Sequence, residues 1–124
     1  MKLEISINDL RKKLFISQPM KDLTPREIRD IQHRIIDRYA HKIQVLPEDV
    51  RVINYFPEYE DELKKSVPTE KIPSKFIVKS LDMMIDADAV VFANRWESAH
   101  GCRVERKFAE EYGIPYFDEK TLLP

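Results

Sequence analysis

Glu105 is the residue whose type and setting call most directly for a chemical explanation. Advancing about 100° per residue from Val104, the side chains of Phe108, Ala109 and Tyr112 share an arc of roughly 140°. Arg103, Arg106, Lys107, Glu110 and Glu111 lie on the other side of this amphipathic helix. Glu105 falls at about 100°, the only charged side chain inside the apolar arc. A carboxylate on a buried stripe is costly unless it is paired, hydrogen-bonded or open to a cavity, and a nearby helix N-terminus favours its ionised form. Two readings follow. Glu105 stands at the mouth of a ligand cleft, as a nucleophile or an acceptor for a sugar hydroxyl, or it forms a structural ion pair with Lys13, Arg95 or Arg103.

Other chemistry-bearing residues have plainer readings beside the functional ones. Trp96 can stack on a base or act as a packing lid, and Tyr55 and Phe56 read as core or interface. His100 reads as a solvated helix-start residue and Cys102 as a small buried side chain. Arg26, Arg29, Arg34 and Arg38 alternate with Glu27, Asp30 and Asp37, the pattern of a solvated helix face.

The elements that must position Glu105 are legible as punctuation and periodicity. Lys13 to Ser17 reads as a buried strand followed by the loop Gln18-Pro19-Met20, where proline ends strand pairing. Thr24-Pro25-Arg26-Glu27 writes a capping box, followed by Ile28, Ile31, Ile35, Ile36, Tyr39 and Ile43 at helical spacing. Val50 to Phe56 predicts a second strand closed by Pro57, and Glu58–Pro73 reads as an inserted loop. Ser74 can cap a helix carrying Phe76, Ile77, Leu81, Met84 and Ile85, which feeds the apolar strand Asp88–Ala93. Ser98 or His100 opens the last helix, Gly113 stops it, and Ile114 to Phe117 is a terminal strand. The order βαβαβαβ implies a parallel sheet with helices on both faces. Ligands then sit beyond the strand C-termini, among Ser17–Asp22, Asn54–Glu58 and Asn94–Gly101.

Composition removes several function classes. A chain of 124 residues fits one domain, spanning 1–124. With 21 Lys+Arg against 22 Asp+Glu, no charge surplus supports a nucleic-acid polymer or an anionic membrane as partner. One cysteine and three histidines offer no zinc spacing, so no metal site is expected. No run approaches the ~20 apolar residues of a membrane span, and the first residues lack a secretion signal, which predicts a cytoplasmic protein. Two glycines cannot write either GxGxxG or a P-loop, and no cofactor is expected.

Three segments, Phe15-Ile16-Ser17-Gln18-Pro19-Met20, Ala87-Asp88-Ala89-Val90-Val91-Phe92 and the run from Trp96 to Glu105, together resemble the nucleoside 2-deoxyribosyltransferase-like superfamily. That superfamily includes deoxynucleoside monophosphate N-hydrolases, and the likeness is greatest to its phage and bacterial branch of short proteins. It covers Lys13 to Phe117, with Gly101, Glu105, Ala109 and Gly113 in the superfamily's four-residue spacing. The resemblance implies a single-domain flavodoxin-like or Rossmann-like three-layer α/β fold, with a parallel sheet of four to five strands. It implies Glu105 as the nucleophile at the anomeric carbon, through an oxocarbenium-like transition state, with Asp88 orienting a sugar hydroxyl or the nucleophile. Ser17, Gln18, Pro19, Met20, Asn94, Trp96, Ser98 and Gly101 would bind the substrate, a small-molecule nucleoside or nucleotide. A homodimer or higher homo-oligomer is implied as well.

Ser80 stands where the superfamily carries the acid that protonates the leaving base, and Asp82 points along a different side of the helix. Three functions therefore stay open. They are N-glycosidic cleavage or deoxyribosyl transfer, a catalytically silent nucleotide-binding or sensor module, and a phage or prophage accessory protein acting through protein contacts.

Overall fold

Strand β1, Lys12–Ser17, runs through the middle of the sheet, and its residues Leu14, Phe15, Ile16 and Ser17 are all buried. Burial on both faces is what a central parallel strand requires, which explains an unbroken apolar run in place of alternation. The computed structural model describes residues 12–54 and 57–122. Within them β1, β2 (Val50–Val52), β3 (Ala89–Phe92) and β4 (Tyr116–Asp118) form one parallel sheet in the order β2-β1-β3-β4.

Helices cover both faces, as the strand pattern predicted. Leu14, Ile16, Ala89 and Val91 pack against Ile35, Tyr39 and Ala40 of helix α1, Pro25–Ile43. Phe15, Val90 and Phe92 face the other way, toward Met84 and Ala109. Met84 belongs to α3, Ile72–Ile85, and Ala109 to α4, His100–Tyr112. Side chains alternate along a strand, so Ser17, two residues beyond Phe15, also points to the α3/α4 face.

The capping box of α1 forms as written. The Glu27 N–H donates to Thr24 Oγ1 at 3.1 Å, and the Thr24 N–H donates to Glu27 Oε1 at 2.9 Å. Gly113 ends α4 in the left-handed conformation, with φ +68°.

Four sequence readings are corrected. Glu58–Pro73 is not a loop: Pro57–Ser66 is helix α2, and a 3₁₀ turn at Thr69–Lys71 leads into α3. Proline, read here as closing a strand or marking a connection, instead marks helix starts, where the missing N–H costs nothing. Pro57 opens α2, and Pro73 lies in the first turn of α3. Ser74 is therefore inside α3 and not its cap, which is Lys71. Strand β2 stops at Val52, short of the expected Phe56. Tyr55 and Phe56 lie outside the described residues. The last strand begins at Tyr116, two residues later than Ile114.

Among the described residues no helix is long and apolar enough to cross a membrane.

Candidate functional site

Glu105 sits on the buried stripe of α4 between Cys102 and Ala109, one turn from each, and is only 8% exposed. Ser17, at the C-terminal end of β1, donates from Oγ to Glu105 Oε1 at 2.6 Å. Ser80, on the buried face of α3 one turn before Met84, brings a second hydroxyl to the same carboxylate. Burial pushes the Glu105 carboxyl up to about 7, and the Ser17 and Ser80 hydroxyls pull against that rise by favouring the ionised form.

The ion-pair alternative does not form. Among the described residues no cation pairs with Glu105. Arg103 instead donates to the Glu97 carbonyl at 2.8 Å, while Arg106 bonds Asp118 at 2.6 Å and Glu110 at 3.2 Å. Cys102 is buried beside the carboxylate, and desolvation pushes its thiol up to about 11, which leaves it a poor nucleophile.

The carboxylate lines a cleft of about 160 Å³ at the C-terminal edge of the sheet, walled by Gln18, Met20, Ile77 and Gly101 among others. Asn54 closes its β2 side. The Asn54 side chain takes over the strand ladder: Oδ1 accepts from the Ile16 N–H at 2.7 Å, and Nδ2 donates to the Ile16 carbonyl at 2.6 Å. This amide is why β2 can stop early without leaving buried backbone groups of β1 unpaired. A methyl added at Gly101 would meet Ile77 Cδ1 at an ordinary 3.8 Å, so glycine there keeps the cleft wall low and is not forced by the backbone.

Of the residues expected at the site, Ser17, Gln18, Met20, Gly101 and Glu105 come together. Asp88 does not. Its Oδ2 accepts from the Lys13 N–H at 2.7 Å, at the N-terminal edge of the sheet. Lys13 is four residues before Ser17, about 13 Å along the strand at ~3.3 Å per residue. Asp88 precedes β3, and residues that precede a parallel strand lie at the edge opposite the ligand crevice.

Trp96 is also removed from the cleft. Its ring packs on Phe92 with centroids 5.5 Å apart, beneath the Arg106 guanidinium at 4.7 Å. Pro19, Asn94 and Ser98 line a separate crevice of about 370 Å³ with Lys21, Arg34 and Arg95. The Ser98 hydroxyl donates to the Arg95 carbonyl at 2.7 Å, and the Asn94 N–H donates to Glu119 Oε1 at 3.0 Å. Asp82, two residues from Ser80, is exposed. Asn54 was not foreseen, although a lone amide closing a β-branched run is the signal that could have found it. Among the described residues no three His, Cys, Asp or Glu side chains converge as a metal site.

Removing one hydroxyl tests this electrostatic account. Ser17→Ala takes a donor from the ionised form, so the Glu105 titration midpoint is expected to move above its position near 7. A carboxyl-carbon NMR titration reads it, and an unchanged or lower midpoint contradicts the account.

No family model, curated protein or solved structure matches the chain.

Proposed function

We propose that the cleft receives the sugar of a nucleoside or nucleotide, and that Glu105 attacks its anomeric carbon to cleave or transfer the N-glycosidic bond. The observation that carries this reading is a buried carboxylate facing a cleft, with the Ser17 hydroxyl bonded to it, Ser80 beside it on the cleft wall and no cation paired with it among the described residues. A group held near 7 exchanges its proton at working pH, the condition for acid–base or nucleophilic work.

In the proposed step a Glu105 carboxylate oxygen bonds to C1′ as the C1′–N bond breaks, and the electron pair leaves on the base nitrogen. The resulting glycosyl ester is then opened at C1′ by water, or by the nitrogen of a second base, which returns the free carboxylate. Among the described residues Glu105 is the one carboxylate lining the cleft, so the leaving base takes its proton from water. Bases that depart readily as anions are the favoured substrates. At about 160 Å³ the cleft is smaller than the ~300–1,000 Å³ of whole-ligand pockets, which suits a sugar with its base directed outward.

A homo-oligomer in the cytoplasm belongs to the same reading, on the strength of the resemblance. Binding without turnover is the second reading, favoured by Ser80 in place of an acid.

Incubation with a panel of deoxynucleosides and their monophosphates separates the two. Free base from wild type and none from Glu105→Ala is the expected result, with kcat/KM rising with pH through about 7 as the nucleophile loses its proton. No base from wild type, or equal release from the variant, sinks the enzyme reading. Thermal stabilisation by a ligand without turnover, ~2.7 kcal/mol at 100 times its Kd, supports the binding reading.

A further inference from the structure

The crevice of about 370 Å³ between the segments that follow β1 and β3, bordered by α1, has no part in the proposed reaction. In the order β2-β1-β3-β4 the chain leaves β1 toward one edge of the sheet and β3 toward the other. The two connections therefore diverge, and open α/β sheets take ligands at such a divergence. The crevice shares no lining residue with the cleft of Glu105. The segment after β1 stands between them, with Gln18 and Met20 lining the cleft and Pro19 and Lys21 the crevice.

Its lining carries one sign of charge. Among the described residues Lys21, Arg34 and Arg95 line it and no Asp or Glu does, in a chain whose net charge is −1. Arg34 is joined to Glu119, whereas Lys21 and Arg95 form no ion pair among the described residues. Asp22, Asp30, Asp37 and Glu97, the acids nearest to these cations along the chain, are exposed and pair with none of them. Arg95 is also placed at a cost. Its φ of +69° lies in the left-handed region, where glycine sits without strain. The Ser98 N–H and Oγ both donate to the Arg95 carbonyl, at 3.0 and 2.7 Å, and hold that turn. An arginine standing where glycine is easier, with its guanidinium unpaired beside a crevice, serves through its charge.

We propose that this crevice is a second ligand site, for a small phosphate ester distinct from the occupant of the cleft. Arg95 and Lys21 meet its phosphate, and its apolar body lies against Leu23 and Ile31, which line the same crevice. A guanidinium offers paired N–H donors in the geometry of a phosphate, and the ammonium adds a point charge. The size agrees. A crevice of about 370 Å³ falls within the ~300–1,000 Å³ of whole-ligand pockets, and the cleft of about 160 Å³ does not. The site stands whether or not Glu105 turns over a substrate.

Amide NMR titrations of the full chain with phenyl phosphate and with inorganic phosphate test it, since neither probe carries a sugar for the cleft. At low salt phenyl phosphate should bind with a Kd below about 1 mM, and more tightly than inorganic phosphate because only the ester reaches the apolar lining. The shifts should centre on Lys21, Leu23, Arg95 and Ser98, not on Ser80 and Gly101. Arg95→Gly removes the charge and relaxes the backbone, so Tm should hold or rise while affinity falls roughly tenfold. Lys21→Gln, at an exposed position, should weaken binding severalfold without changing Tm. Absence of binding by phenyl phosphate at about 10 mM overturns the proposal. So do shifts centred on the cleft, equal or tighter binding of inorganic phosphate, or an affinity indifferent to Arg95→Gly and Lys21→Gln.

Discussion

Glu105→Gln is expected to make the protein more stable and to abolish base release. Raising a carboxyl from 4.5 to about 7 costs the ionised fold about 3 kcal/mol. Because the folded value lies above the unfolded one, the cost is nil below pH 4.5, grows as pH climbs and is complete above about 7. A glutamine keeps the shape, and the Ser17 and Ser80 hydroxyls can turn to accept from its amide. At pH 8 the gain should be about 2–3 kcal/mol, near 10 °C in Tm for a chain of this length. At pH 4 it should shrink to almost nothing. Calorimetry at the two pH values reads both, and an unchanged or lower Tm at pH 8 overturns the account. Base release should fall roughly 10³-fold or more, since among the described residues no other carboxylate lines the cleft to replace the lost nucleophile. A residue whose removal improves the fold while ending turnover is held for function, at a cost to stability.

The chain declares its central elements because their signals are local. Leu14-Phe15-Ile16 and Ala89-Val90-Val91-Phe92 are unbroken apolar runs, and burial on both faces of a parallel strand leaves no other pattern. The α1 start was equally plain, since Thr24, Pro25 and Glu27 act within one turn. Glu105 was singled out by a helical wheel, which needs no tertiary information.

What escaped the sequence depends on distance in space. Asn54 takes its place through a backbone 38 residues away, and the lone amide after a β-branched run marks the residue without indicating that partner. Asp88 was misplaced for a related reason. Its place beside an apolar strand is readable, but which strand end carries the ligand is set by chain direction, and Asp88 precedes β3 where the crevice lies beyond it. The helix at Pro57–Ser66 was hidden because proline marks both loops and helix starts. Ser80 was legible as a departure from a pattern, but that it faces Glu105 depends on how α3 packs against α4.

Glu119 provides the contrast that gives Glu105 its meaning, and its removal is the second large expected effect. Its side chain is fully buried in the 3₁₀ turn Glu119–Leu122. Arg34 Nε and Nη2 donate to it at 2.5 and 3.1 Å, Arg38 Nη1 at 3.0 Å and the Asn94 N–H at 3.0 Å. Burial alone would raise its carboxyl, but the Arg34 and Asn94 hydrogen bonds and the two guanidinium charges hold it below the usual carboxylate value. Stability from this group is therefore present above pH 4.5 and lost as pH falls through the lower folded value, the reverse of Glu105. Glu119→Ala strands the Asn94 N–H and unpairs both arginines. Because these are 42% and 27% exposed and can turn to water, the expected loss is about 2–3 kcal/mol, less than for a wholly buried pair. That is near 10 °C in Tm at pH 7, and a change under about 2 °C would show that the cluster contributes little. One fold thus contains a buried carboxylate neutralised by four donors and another that meets, among the described residues, hydroxyls in place of cations. Where structure is the purpose, the chain supplies cations, and at Glu105 none stands among the described residues, which keeps a proton exchangeable beside an open cleft.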